Sequence, residues 1–197
     1  MHPAKIRCIK LAVNQKIAPL DPRSVANAIL TIANENSIGV TQLSIQKIVY
    51  FMHGKSLIER GEPLVSGSFE AWPYGPVHPL LYETFKHYGA NPISDHARSK
   101  DLMTGTVQTI DAPKDDEIRL LIRESALTYL RMTPGRLIDL SHAPRSPWDA
   151  ATKCDEGGRK YGVRISNSDI RNLFKFHKVS IGAIPRVGEP NEESQPS

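Results

Sequence analysis

The stretch from Phe69 to Leu81, FEAWPYGPVHPLL, limits the fold more than any other part of the chain. Pro73, Pro76 and Pro79 recur every third residue. Each fixes its own φ and lacks a backbone N–H. Each also pushes the residue before it, here Trp72, Gly75 and His78, toward extended geometry. An uninterrupted helix or fully paired strand is therefore ruled out. Three readings are open: a polyproline II ligand read by an aromatic groove, a catalytic loop, or a rigid corner inside a fold. Linear ligands lie in exposed polar linkers, whereas this segment follows apolar FEAW and leads into an amphipathic helix. Gly75 tolerates the positive φ of a turn, and Pro79 suits the first position of a helix. The expected structure is strand, rigid turn, helix.

The remaining chain reads as mostly helical. Asp21-Pro22 is a capping residue followed by proline at the first helical position, and Val25, Ala26, Ile29, Ile32 and Ala33 continue at helical spacing until Gly39. A second helix begins near Thr41 and runs to Gly61. Ile45, Ile48, Val49 and Met52 mark one face, and Leu43, Tyr50 and Phe51 widen it. A helix apolar over so much of its circumference belongs at the centre of a core. PLVSGSFEAW, with Gly67 and β-favouring residues, suggests one or two short strands. A helix follows from about Pro79 to Tyr88. Residues 90–112 are polar and loop-like, with a short strand at TVQTI. Lys114–Met132 is amphipathic, with Asp115, Asp116 and Glu117 at the start and arginines later, as the helix dipole favours. Thr133-Pro134 opens another helix, SHAPRSPWDAATK makes a turn and a short helix, and a last helix starts with Asn167 as its cap. The expected fold is mainly α: a compact helical domain of about six helices with a small β hairpin. Residues 1–20 form a basic N-terminal extension, 21–179 the domain, and 180–197 a disordered tail.

With 197 residues, 40% of them hydrophobic, the chain can bury a real core. No apolar run approaches the roughly 20 residues that span a bilayer, and no signal peptide is evident, so a cytoplasmic protein with no membrane partner is expected. Cys8 and Cys154 are too few for a disulfide framework or a thiolate zinc site. The net charge is +4 and uneven. Lys5, Arg7, Lys10 and Lys16 face no acid within residues 1–20, and Arg159–Lys178 is basic again. This balance would suit nucleic acid, yet no helix-turn-helix spacing accompanies it. Solvated charged faces carry more weight.

No chemical template fits. The seven histidines include no HExxH and no pairing with cysteines at zinc spacing, and His87 and His96, flanking Asp95, read as surface residues. GxSxG, GxxxxGK and GxGxxG are all absent. We therefore expect no enzyme, no metal and no cofactor. Gln46, Lys47 and Tyr50 are of more interest, because they lie on consecutive turns of the broadly apolar second helix. A buried amide or ammonium needs hydrogen-bond partners. Either Lys47 snorkels to water, or Gln46 and Lys47 anchor the backbone of the Trp72–Pro76 corner or of a partner segment.

These residues also carry a resemblance. LSIQKIVYFMHGKSLIERGEPL, followed by FEAWPYGPVHPLLYETFKHYG, resembles the Panacea domain of the SocA-like antitoxin family. SHAPRSPWDAATK and ISNSDIRNLF resemble its later segments, so the likeness spans roughly residues 22–178. Ile45 stands where the family has leucine. Carried over are Leu43, Gln46, Lys47, Tyr50 and Gly54; then Trp72, Tyr74, Gly75, Pro76 and Val77; then Pro147 and Trp148. The resemblance implies an antitoxin that binds and neutralises a cognate protein toxin, usually encoded by an adjacent gene. Some members instead act as adaptors delivering the toxin to a Clp-type protease. A nucleic-acid-binding regulator ranks below both. Trp72, Tyr74 or Trp148, if exposed, would be natural anchors, although Trp72 sits among apolar neighbours and reads first as core.

Overall fold

A computed structural model describes residues 18–153 and 162–174. Most of the basic extension, both cysteines, the tail from residue 180 and both ends of the basic Arg159–Lys178 stretch lie outside the described residues. Among the described residues, seven α-helices and five short strands follow in the order α1 (Pro22–Glu35), α2 (Gln42–Glu59), β1 (Phe69–Trp72), β2 (Gly75–Val77), α3 (Pro79–Phe85), β3 (Arg98–Lys100), β4 (Val107–Thr109), α4 (Asp116–Leu130), α5 (Pro134–Ser141), α6 (Pro147–Lys153), β5 (Val163–Ile165) and α7 (Asn167–Leu173), with a 3-10 turn at Lys86–Tyr88. The fold is mainly α with a small β component.

Local chemistry explains where the helices begin. The Asp21 carboxylate accepts from Arg23 N (2.8 Å), Thr41 Oγ1 from Ser44 N (3.2 Å), Asp115 from Ile118 N (2.9 Å) and Thr133 Oγ1 from Arg136 N (3.2 Å). Each satisfies a donor that the first turn leaves open. Several boundaries differ slightly from the sequence expectation, and two of them have a visible cause. α1 ends at Glu35, with Asn36 as its cap and Ser37 at φ 55°, before Gly39 is reached. α7 is capped by Ser166, whose hydroxyl accepts from Asp169 N at 3.0 Å. Asn167 does not cap, because its Oδ1 lies 3.0 Å from His53 Nε2 of α2.

α2 is the hub. Ser44 through Gly54 are buried without interruption, so the helix shows no polar side to water over three turns. It contacts α1, α3, α4, α5, α7 and β2. Tyr50 meets Phe69 edge-on at 5.2 Å and Phe174 at 5.8 Å, while Phe51 stacks on Tyr129 at 5.0 Å. Phe174 lies so close to Gly54 that a Cβ there would be 2.5 Å from its ring. That approach seats α7 directly on α2.

The β structure is larger than one hairpin. β1 pairs antiparallel with β2 (Glu70 opposite Val77, Trp72 opposite Gly75) and on its other edge with β5 (Phe69 opposite Ile165). A separate hairpin joins β3 and β4, with Arg98 opposite Thr109 and Lys100 opposite Val107. Leu20 bridges in parallel to Val65 through Leu20 N→Leu64 O (2.9 Å) and Ser66 N→Leu20 O (2.8 Å).

Candidate functional site

Pro73 and Tyr74 are the two turn residues between β1 and β2, and the strand pairing closes at Trp72–Gly75. Gly75 holds φ +95°, a left-handed conformation that disfavours any side chain. It has a second reason to be glycine. A Cβ there would lie 2.4 Å from Ser141 Oγ, 2.8 Å from Lys47 Cε and 2.9 Å from Lys47 Nζ. The backbone of the corner rests directly on the ends of two side chains from α2 and α5.

Those side chains hold it by hydrogen bonds. Lys47 Nζ donates to Pro76 O at 3.0 Å, and Gln46 Oε1 accepts from His78 N at 2.8 Å. Gln46 Nε2 also reaches His78 O, at 3.4 Å. Gln46 and Lys47 are each 1% exposed, so Lys47 does not snorkel; it ends beneath the corner. Burial lowers its pKa from the ordinary lysine value to about 7. Ser141, fully buried, turns its hydroxyl to Ile138 O (2.8 Å), and Ser146 Oγ donates to Ser141 O (3.1 Å).

A third segment closes the corner from above. Trp148 Nε1, on α6, donates to Trp72 O at 2.8 Å, and its ring stacks on His142 at 3.8 Å and 13°. Burial pushes the His142 imidazole pKa down, and Lys47 nearby pushes it the same way. The Trp72 ring leans on Tyr82 of α3 at 4.8 Å and its Nε1 donates to Glu70 Oε2 at 2.8 Å. Two stretches far from it in sequence, Gln46–Lys47 and Ser141–Trp148, thus converge on one four-residue turn.

The expected site residues divide sharply. Gln46, Lys47, Tyr50, Gly75, Pro76 and Val77 are buried and inaccessible to a partner in this conformation. Burial also drives the Tyr50 hydroxyl pKa upward. Trp72 and Trp148 are half-buried, each with its ring packed and its N–H bonded internally. Tyr74 alone of the nine is open, at 68% exposure, on the outside of the turn. Leu80 on α3 is 40% exposed and Tyr82 half-buried.

Several structural residues lay beyond the sequence reading. His53 accepts from Val65 N through Nδ1 (3.3 Å), which leaves Nε2 to donate to Asn167 Oδ1; its pKa is lowered to about 4 by burial. His78 Nε2 donates to Ser66 O at 2.9 Å. Both are neutral bridges within the core. Asn27, 3% exposed, makes three hydrogen bonds to the base of the β3–β4 hairpin. The only sequence signal for it was a polar residue inside an apolar helical stripe. Among the described residues no group of three or more His, Cys, Asp or Glu could hold a metal ion, and no helix is long and apolar enough to cross a membrane. Lys47 and Ser141 lie side by side but are sealed from solvent, so their chemistry is spent on holding backbone.

Residues 45–149 match the family described as Antitoxin SocA-like, Panacea domain. The chain is also 38% identical to Antitoxin SocA of Caulobacter vibrioides (strain NA1000 / CB15N) over 178 residues, covering 90% of this chain and 95% of that protein. No solved structure matches significantly. By both comparisons the chain belongs to the SocA-like antitoxin family built on the Panacea domain.

Proposed function

We propose that this protein neutralises a cognate protein toxin by direct binding in the cytoplasm, without chemistry of its own, and that the outer face of the β1–β2 corner takes part in the contact. Family membership supports the antitoxin role. The observation that carries the mechanism is Tyr74, an aromatic side chain 68% exposed on a turn whose backbone is fixed by Lys47, Gln46 and Trp148. Tyrosine is enriched among interface hot spots because it offers a large contact area with few rotors to freeze. A turn fixed in advance also lowers the ordering cost of association.

The toxin is proposed to be the product of an adjacent gene. The test expresses each neighbouring reading frame alone and together with this chain. A neighbour that arrests growth alone and is tolerated with this protein, and that co-purifies with it at unchanged level, supports masking by a complex. Rescue accompanied by toxin loss that requires a Clp-type protease would replace masking by delivery. Absence of any toxic neighbour and of any co-purifying partner would overturn the reading.

A further inference from the structure

Among the described residues, the most exposed large apolar side chains are not at the corner. Leu102 is 93% exposed and Met103 95%, side by side at the tip of the β3–β4 hairpin, with Val107 55% exposed on the adjoining strand. An isolated two-stranded hairpin is marginal in water, and a tip under no other demand favours small polar residues.

This tip is nevertheless tied together by hydrogen bonds. The Asp101 carboxylate accepts from Met103 N (2.7 Å) and Thr104 N (3.0 Å). Gly105 N donates to Asp101 O (2.8 Å) and Asp101 N to Thr106 O (2.9 Å). The Thr104 hydroxyl bonds to that of Thr106 (2.9 Å) and accepts from its N–H (3.3 Å). The base is equally fixed. Asn27 of α1 donates to Ala97 O (3.0 Å) and Ile110 O (2.8 Å) and accepts from Ala97 N (2.7 Å). Ser24 Oγ donates to Asp111 O (2.6 Å). Between base and tip every residue of β4, and Arg98 and Lys100 of β3, face solvent. The result is a braced prong carrying two bare apolar side chains.

We propose that the β3–β4 hairpin is a docking prong for the toxin, with Leu102 and Met103 entering an apolar pocket rimmed by carboxylates. Charge complementarity selects a partner surface of that chemistry. Arg98 and Lys100, two residues apart on β3, share one face of the hairpin, the face that also carries Val107. An acidic rim around an apolar hole meets both features. Two side chains supply only part of the roughly 800 Å² per partner that a stable interface buries, so the prong is one anchor of a larger contact. It rests on the toxin-binding reading above, but on residues that the corner does not share.

The test titrates the full-length purified chain with the growth-arresting product encoded beside its gene. Leu102→Ser combined with Met103→Ser is expected to melt within about 2 °C of the wild type, since both side chains are exposed. Its affinity for the toxin is expected to fall about tenfold or more, and that of Lys100→Glu by a smaller factor that shrinks with added salt. Wild-type affinity in the double variant overturns the prong while leaving toxin binding intact. If the wild type itself binds no toxin, both readings fall. If toxin affinity is unchanged but the double variant abolishes a wild-type dimer in sedimentation, the pocket belongs to a second copy of this chain and the toxin assignment is wrong.

Discussion

Each β hairpin hangs from a helix by a buried side-chain amide: Gln46 of α2 holds the first by the backbone of His78, and Asn27 of α1 holds the second by Ala97 and Ile110. The outcomes are opposite. Gly75, Pro76 and Val77 of the first hairpin are buried against α2, whereas the tip and β4 of the second stand wholly in solvent. The difference lies in how far support extends past the clamp. At the corner a second polar group, Lys47, reaches further under the turn, and Trp148 closes from the other side. At the prong the clamp stops at the base, and only the pairing of β3 with β4 and the local turn bonds continue to the tip. One chemistry therefore makes a keystone in one place and a projecting arm in the other.

The contrast breaks most violently at Gly75. Gly75→Val adds a branched side chain at φ +95° into space already held by Ser141 and Lys47. Backbone strain and overpacking together should cost about 3–5 kcal/mol, lowering Tm by about 10 °C or more. Unchanged melting would show that the corner is not a keystone.

Asn27→Ala is the matching test at the other hairpin. It removes the hydrogen bonds that Asn27 supplies to Ala97 N–H and to the two base carbonyls, for an expected loss of about 2–3 kcal/mol. Amide exchange should accelerate in β3 and β4 and stay slow in β1 and β2. Uniform acceleration in both would mean that the hairpins are not independently braced.

Lys47→Met separates charge from shape. Burial holds the Lys47 pKa near 7 in the fold, against 10.5 unperturbed. Between those values the unfolded chain binds the proton more tightly. The penalty of burying the ammonium is therefore full below about pH 7 and is relieved as pH rises toward 10.5. Wild-type stability should gain on that of Lys47→Met from about pH 7 to about pH 10, by at most about 1.4 kcal/mol per pH unit. Parallel pH profiles for the two proteins, measured by denaturant unfolding, would contradict a sealed ammonium.

Much of this was legible in the sequence. Proline spacing and Gly75 specify the corner, and the unbroken apolar surface of α2 marks the hub. The fate of Lys47 was not legible: a lysine on such a helix either snorkels or finds a carbonyl, and that choice depends on the distant Pro76 backbone. β5 has no local signal either. Val163–Ile165 becomes a strand because β1 offers it an open edge, a long-range pairing that a three-residue pattern cannot announce. Nor does the sequence of β3, Arg-Ser-Lys, favour a strand; Asn27 and the Asp101 turn impose one. At the site, the resemblance selected the residues that build the corner, and most of them are core because a rigid turn needs its supports inside. Exposure, which distinguishes Tyr74 from Trp72 and Trp148, is a property of the packed chain.

Toxin binding by a rigid, outward-facing corner is tested most directly by titrating the purified toxin into the wild type and into Tyr74→Ala, with melting recorded for both. The expected result is a stable wild-type complex, a loss of about tenfold or more in affinity for Tyr74→Ala, and melting temperatures within about 2 °C of each other. Equal affinities for the two proteins would contradict it.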